Sequence, residues 1–177
     1  MKTNPYEVCP VYENENFLLR KVSLGDVEDL LSCYSDPKTF LNYDNCTSDF
    51  HYLSVKEMWD CIMFWLLEYR QSKYVRFAIV DKSRARAVGT IEIFRHESGY
   101  GILRVDISSD YENETYLTEL LTLADNFFEP FGFDEMLTKG FGDSAGRVKA
   151  LSDSGYAPFA ENERWPRQGY FLKHKNR

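Results

Sequence analysis

Three short strand-like segments follow one another within residues 75–108, and they constrain the fold more than any other feature of the sequence. They read VRFAIVD (75–81), AVGTIEIF (87–94) and GILRVDIS (101–108). Each has the length and the β-branched and aromatic content typical of a strand. The six residues RHESGY between the second and the third suit a hairpin. The chain is therefore expected to build a sheet with an antiparallel centre.

Helical periodicity surrounds these strands. In the clearest segment Ser54 and Glu57 form a capping box, and a helix follows with apolar residues at i, i+3 and i+4 spacing. A shorter helix begins after Ser23 and ends before Pro37, because proline disfavours helical geometry in the residue that precedes it. Further helices are predicted after residue 113, up to Pro130, and over 144–154.

The order of these elements predicts the fold class. A first strand at 17–22 precedes the two N-terminal helices, and strands at 135–141, 155–159 and 168–173 alternate with the later helices. This order predicts an α/β protein with a mixed, largely antiparallel central sheet flanked by about four helices. A length of 177 residues fits one domain spanning 1–177.

Charge and cysteine content exclude several classes of protein. A formal net charge of −7 argues against a nucleic-acid partner and against binding to anionic membranes, whereas it favours cationic partners such as amines. The longest apolar run, Cys61 to Leu67, is too short to span a bilayer. The cysteines (Cys9, Cys33, Cys46 and Cys61) lack the spacing of a metal site, so we expect free thiols and a cytoplasmic protein.

Several segments, in this order, resemble the GNAT acetyltransferase superfamily. They are LLRKVSLGDVEDLLSCYSDP, AVGTIEIF, FFEPFGFDEM and ALSDSGYAPF. The chain looks most like the branch of that superfamily that modifies the N-termini of ribosomal proteins. The resemblance implies an acetyl-CoA-dependent N-acetyltransferase that acts on a primary amine, in a small molecule or at a protein N-terminus.

The stretch SDYENETYLTEL (109–120) lies where the family places its acetyl-CoA loop. The family pattern is Arg or Gln, two residues, Gly, one residue, then Gly or Ala; here it falls on Glu112, Thr115 and Leu117, and all three depart from it. The resemblance nevertheless implies a set of donor-binding residues. They are Ile107, whose backbone would meet the pantetheine arm, Glu112, Asn113, Glu114, Thr115, Tyr116, Leu117 and Ser144.

The charges around this loop oppose phosphate binding. Between Val105 and Thr138 there are nine acidic residues and no Lys or Arg. Like charges within about 5 Å of a phosphate weaken binding by roughly 1 to 3 kcal/mol each. The helix N-terminus keeps its free N–H groups whatever the side chains are, and Asn113 suits its cap. Positive charge is available from Lys139, Arg147 or Lys149.

Two carboxylates are candidates for the general base that takes the amine proton. Glu92 is the first choice because it is the acidic residue within an otherwise apolar strand; the alternative is a solvent-facing glutamate at the sheet edge. Asp106 is second, with pairing to Arg104 as its alternative. Leu151 falls where some family members carry a tyrosine acid, so that role is vacant. His51, His96 and His174 are expected to be surface residues.

Two functions therefore remain open. One is the N-acetyltransferase with an atypical loop. The other is a non-catalytic module of the same fold that has lost standard acetyl-CoA binding and binds a ligand or partner in the former cleft. An acyl donor other than acetyl-CoA is a third possibility, without specific support. The sequence does not identify the acceptor amine or the oligomeric state.

Overall fold

The computed structural model describes residues 4–42 and 50–176, and these form one eight-stranded sheet with helices on both faces. The strands are β1 Tyr12–Glu13, β2 Phe17–Lys21, β3 Val75–Asp81, β4 Arg86–Arg95, β5 Gly101–Ile107, β6 Glu135–Lys139, β7 Ala157–Phe159 and β8 Tyr170–His174. Their order is β1-β2-β3-β4-β5-β6-β8-β7. All neighbours pair antiparallel except β5 and β6, which are parallel. The expected mixed, largely antiparallel sheet is confirmed.

Four helices and one additional helical turn flank the sheet. They are α1 Val27–Tyr34, α2 Val55–Arg70, α3 Glu114–Ala124, the single turn α4 Phe128–Phe131, and α5 Ala145–Asp153. The N-cap predicted at Ser54 is present, since its side chain accepts a hydrogen bond from the Glu57 amide, and the Glu57 carboxylate in turn accepts from the Leu53 amide and the Ser54 hydroxyl. The helix predicted to run to Pro130 is interrupted instead by a 3₁₀ turn at Asp125–Phe127.

Each face of the sheet carries its own core. On one face α3 and α4 pack on the sheet, and Phe127 stacks on Phe77 with ring centroids 5.2 Å apart. On the other face α1 and α2 pack through Leu30, Met58 and Trp65. Because both faces are covered, all seven residues of β3 are buried. A polar side chain in the centre of this sheet must therefore find its partners inside the protein.

β5 separates from its parallel neighbour part of the way along. The two strands pair only over Gly101–Leu103 and Met136–Thr138, so the last four residues of β5 do not pair with β6. On its other side β5 runs close to Gly89, where a Cβ atom would lie 2.2 Å from the carbonyl oxygen of Asp106. We call the place where β5 and β6 diverge, beyond Leu103 and Thr138, the gap between β5 and β6. The position of β5 at this gap is set by its pairing with β4.

The described cysteines are free thiols that are buried or partly buried. Cys33 and Cys61 are buried and free, and Cys9 is partly buried and free, whereas Cys46 lies outside the described residues.

Within the two described segments, no helix combines the length and apolar character that crossing a bilayer requires.

Candidate active site

Glu92, the first candidate base, lies inside a charged network on the α1–α2 face of the sheet. Its side chain is 2% exposed, so it is not the solvent-facing glutamate that was the alternative. Arg76 on β3 forms an ion pair with Oε2, and Arg104 on β5 donates to Oε1 over 2.9 Å. Both carboxylate oxygens therefore already hold a guanidinium partner.

Arg76 is the centre of this network, and the sequence reasoning did not single it out. Its guanidinium lies over the Trp65 ring, 4.1 Å from the centroid, and Nη1 donates to Thr90 Oγ1 over 3.0 Å. Burial by itself would lower the pKa of Arg76, but the neighbouring groups, of which the Glu92 carboxylate contributes most, together outweigh burial and raise the pKa above its ordinary value. The signal was available in the sequence, because an arginine at the second position of the otherwise apolar segment VRFAIV needs an internal counter-ion once the strand is buried.

Asp106, the second candidate, is held by different partners. Oδ1 accepts from the backbone N–H of Asn42 over 2.7 Å, and Oδ2 accepts from the Tyr34 hydroxyl over 2.8 Å. Arg76 Nη1 lies 3.6 Å from Oδ2. The expected alternative, a pair with Arg104, does not form, since Arg104 binds Glu92. Burial, followed by the charge of Asp106, raises the pKa of Tyr34 well above its ordinary value, which keeps the phenol protonated.

The segment in the position of the family's acetyl-CoA loop has no backbone conformation that would require glycine. A 3₁₀ turn at Ser109–Tyr111 leads through Glu112 and Asn113 into α3, and no residue from 108 to 117 has a positive φ. Thr115 lies in the first turn of α3 in ordinary helical geometry. The predicted cap is confirmed, because Asn113 Oδ1 accepts from the Tyr116 amide over 3.1 Å.

Core contacts hold this segment in place. The Tyr111 hydroxyl donates to Asp81 at the end of β3, and the Ser109 hydroxyl donates to Asp36 over 2.5 Å. Ile107 and Leu117, both predicted to contact the donor, have side chains buried in the core. Ile107 and Leu117 can therefore offer a ligand only their backbone groups, whereas Tyr116 is partly buried and packs its ring on Phe17.

Glu112 is not the uncompensated anion that the sequence suggested. Arg147 of α5 binds its carboxylate with two nitrogens, Nε to Oε1 and Nη2 to Oε2, each over 2.7 Å. The Ser144 hydroxyl donates to Oε1 over 2.8 Å. Both charged side chains are almost fully buried, at 4% exposed for Glu112 and 3% for Arg147. The expectation failed because the partner lies 35 positions away in the sequence.

The third nitrogen of this guanidinium, Nη1, reaches the gap between β5 and β6. Arg147 Nη1 donates to the carbonyl oxygen of Val105 over 3.0 Å, and the side-chain amide of Asn42 donates to the same oxygen over 3.3 Å. The Cζ atom of Arg147 lies 4.9 Å from the centroid of the Phe141 ring, and this ring stacks on Phe40. The backbone edge that a pantetheine arm would use is thus occupied by the protein itself.

Other acids of the 105–138 stretch also have cationic partners. Glu114 pairs with Lys149 over 2.9 Å, Asp125 pairs with Lys173, and Glu129 pairs with Lys175 over 2.5 Å. The Glu114–Lys149 pair is solvent-exposed, at 46% and 57%, whereas the Glu112–Arg147 pair is buried. Several acids of this stretch are therefore paired with cations that follow it in the chain.

His96 and His174 contact residues other than Glu92 and Asp106. His96 lies in the β4–β5 turn with Nδ1 2.8 Å from the Ser98 hydroxyl, and His174 lies 3.6 Å from Glu135. His51 is partly buried at the edge of the segment that the structure does not describe. Across the described parts of the chain, no group of three or more His, Cys, Asp or Glu is arranged to hold a metal ion.

Comparison with solved structures relates this arrangement to acetyltransferases. The fold matches a ribosomal-protein-S5-alanine acetyltransferase from Vibrio fischeri with a TM-score of 0.72 and 13% identity, over 94% of this chain and 97% of that one. It matches RimL, a ribosomal L7/L12 α-N-protein acetyltransferase in complex with coenzyme A, with a TM-score of 0.71 and 8% identity, over 93% and 98%.

A third match involves a small-molecule enzyme, a spermidine N-acetyltransferase SpeG chimera of Vibrio cholerae and hSSAT sequences. The TM-score is 0.65 and the identity 13%, over 91% of this chain and 96% of that one. These identities show a shared fold and leave the substrate open. No curated protein matches the chain in sequence.

A family model settles the membership that the sequence pattern suggested. The model described as the acetyltransferase (GNAT) domain matches residues 16–171, which is most of the chain. This range includes the buried carboxylates, the gap between β5 and β6, and the segment from Ser109 to the start of α3. The chain belongs to the GNAT acetyltransferase family.

Proposed function

We propose that this protein is a cytoplasmic acetyl-CoA-dependent N-acetyltransferase that acts on a primary amine, in a small molecule or at a protein N-terminus. The divergence of β5 from β6 carries the proposal, because the two strands pair only as far as Leu103 and the last four residues of β5 form a strand edge without a strand partner in β6. An amide-containing donor arm can pair with this edge once it displaces the side chains of Arg147 and Asn42 from the Val105 carbonyl oxygen. Family membership and the acidic surface, which attracts amines, support the same function.

The chemistry requires a base for the amine proton. The amine nitrogen bonds to the thioester carbonyl carbon, the C–S bond breaks, the thiolate leaves, and the amine proton passes to a carboxylate. Asp106 fits this role better than Glu92, because Glu92 has a guanidinium on each oxygen and Asp106 has neutral donors within hydrogen-bond distance. Tyr34 and the Asn42 amide fix the orientation of the Asp106 carboxylate.

A second candidate function is favoured by a specific observation. The Glu112–Arg147 pair and the Asn42 side chain fill the hydrogen-bonding positions that a donor would need. A buried ion pair that loses one partner is strongly destabilised, so a ligand that merely pushes Glu112 aside binds weakly. This observation favours a non-catalytic GNAT module whose former cleft is closed by its own chain.

Titration with acetyl-CoA separates the two functions. Isothermal calorimetry measures binding, and release of free thiol from acetyl-CoA measures transfer to spermidine and to short peptides with free N-termini. Saturable binding with amine-dependent thiol release supports the transferase. If no heat is observed up to millimolar acetyl-CoA, the transferase proposal is wrong and the non-catalytic module remains.

A further inference from the structure

We propose that Ser144 and Arg147 form a buried phosphate-binding site for the acyl donor, and that Glu112 occupies this site as an internal competitor. Only the identity of the ligand as the donor's diphosphate rests on the proposed function. The existence of an anion site does not, because it follows from the contacts of Ser144 and Arg147 alone.

The contacts of Glu112 are those of a bound anion. One carboxylate receives two parallel hydrogen bonds from the Arg147 fork and a third from the Ser144 hydroxyl. A guanidinium fork matches two oxygens of a phosphate as well as it matches a carboxylate. Ser144 itself is fixed, since its hydroxyl also accepts from the Arg147 amide over 3.3 Å.

The position of the site connects it to the gap between β5 and β6. The same guanidinium that binds Glu112 also donates to the Val105 carbonyl. The segment from Val105 to Thr138 contains no cation, so Arg147 is the buried cation that a diphosphate entering beside α3 would meet. The sequence of this segment lacks both the glycines and the cation of the family pattern, and Arg147 supplies the missing charge.

Exchange of one anion for another explains how such a site can work. Removing Glu112 without replacement would leave a buried guanidinium without a counter-ion, which is strongly unfavourable. A diphosphate that takes its place keeps the charge paired and offers oxygens to the same guanidinium fork and to the Ser144 hydroxyl. The wild-type protein is therefore expected to bind phosphates weakly, and a protein without the Glu112 carboxylate to bind them well.

The test uses the Glu112→Ala variant and inorganic diphosphate. Its thermal unfolding midpoint should rise with diphosphate concentration, by roughly 5 °C once the ligand exceeds its Kd a hundredfold. The wild type should rise much less at the same concentrations. If Glu112→Ala does not fold, Glu112→Gln, which keeps the shape of the side chain, is used for the same measurement.

The matched control is Glu114→Ala. It removes the same charge two residues further on, but from an exposed pair with Lys149. This variant should respond to diphosphate no more than the wild type does. In Glu112→Ala/Arg147→Ala the response of the single variant should disappear. An equal response of the Glu112 and Glu114 variants, or a response that survives in the double variant, overturns the inference.

A parallel titration with acetyl-CoA separates the inference from the proposed function. We expect Glu112→Ala to bind acetyl-CoA at least tenfold more tightly than the wild type. A response to diphosphate without any binding of acetyl-CoA supports the anion site and contradicts the transferase. Tight binding of acetyl-CoA by the wild type, unchanged in Glu112→Ala and in the double variant, supports the transferase and overturns the inference.

Discussion

Glu92 and Arg104 lie directly opposite each other on β4 and β5, and Arg104 donates to the Glu92 carboxylate over 2.9 Å. Arg104 was expected to pair with Asp106, two residues along its own strand. The cross-strand contact is favoured because directly opposed side chains are closer than alternate ones on the same strand. Glu92 therefore bridges two arginines in the interior of the sheet.

Replacement of Glu92 by Gln should reduce the free energy of unfolding by about 3 to 5 kcal/mol, since it leaves Arg76 buried without its main counter-ion. Urea denaturation at neutral pH measures the change. Glu97→Gln, in the exposed turn after β4, is the control and should stay within about 0.5 kcal/mol of the wild type. An unchanged unfolding midpoint for Glu92→Gln would contradict a structural role of this ion pair.

Replacement of Asp106 by Asn should reduce the rate of acetyl transfer by about a hundredfold or more, because the amide cannot take a proton from the amine. The loss of stability should be smaller than for Glu92→Gln, since the partners of Asp106 within 3 Å are the neutral groups of Tyr34 and Asn42. Steady-state kinetics with saturating acetyl-CoA measure the effect. Full activity in a folded Asp106→Asn protein would exclude this residue as the base.

Replacement of Gly89 by Ala should destabilise the protein by roughly 3 kcal/mol or prevent folding. The added Cβ would lie 2.2 Å from the Asp106 carbonyl oxygen and 2.7 Å from the Ile107 Cα, and both are backbone atoms that cannot rotate away. Gly142→Ala is the matched control, because a Cβ there meets no atom within 4 Å. Similar melting temperatures for the two variants would show that β5 can move away from β4.

The thiols of Cys33 and Cys61 should resist alkylation in the folded protein. Burial raises the pKa of Cys33 to about 12 and that of Cys61 to about 11. At pH 8 the reactive thiolate of each is therefore on the order of a hundredfold to a thousandfold scarcer than for an exposed cysteine. Peptide mass spectrometry after iodoacetamide treatment, with and without urea, measures this protection. Labelling at the rate of a free peptide thiol would contradict it.

The contribution of Asp26 to the free energy of unfolding should change with pH. Burial by itself raises the pKa of Asp26, but the hydrogen bonds from Arg20 and Ser23 outweigh burial and lower it below its ordinary value. A depressed carboxyl pKa contributes stability above the unfolded-state pKa, and this contribution is lost as the pH falls through the folded-state pKa. Asp26→Asn should therefore be less stable than the wild type at pH 7, with a difference that shrinks below about pH 4. A difference that is constant across this range would contradict the ionic contribution.

The regular elements could be predicted because their signals are local. The capping box at Ser54 and Glu57 and the periodicity that follows define α2 without any tertiary information. The two-residue strand β1 was missed, since two residues carry no periodicity. The 3₁₀ turn at Asp125–Phe127 was missed as well, because the apolar pattern of α3 continues through it.

The elements that carry the candidate residues could be predicted from the sequence, but the partners of those residues could not. The sequence placed Glu92, Asp106 and Glu112 on the correct elements, and the cap at Asn113 is confirmed. Ion pairs between distant elements, such as Glu112 with Arg147, leave no local signal, so a count of neighbouring charges overestimates the repulsion. Tyr34 and Arg76 were not singled out for the same reason.

The Val105 carbonyl oxygen, which accepts from Arg147 on one side and from Asn42 on the other, has a consequence for kinetics. Asn42 also holds Asp106 through its backbone N–H. A donor that displaces Arg147 from this oxygen removes one of its two hydrogen bonds and leaves the other, from Asn42. Because Asn42 also donates to Asp106, the proposed base, donor binding can alter the position of this carboxylate before an amine binds. On the proposed function we expect compulsory-order addition, with the thioester bound first and the amine second.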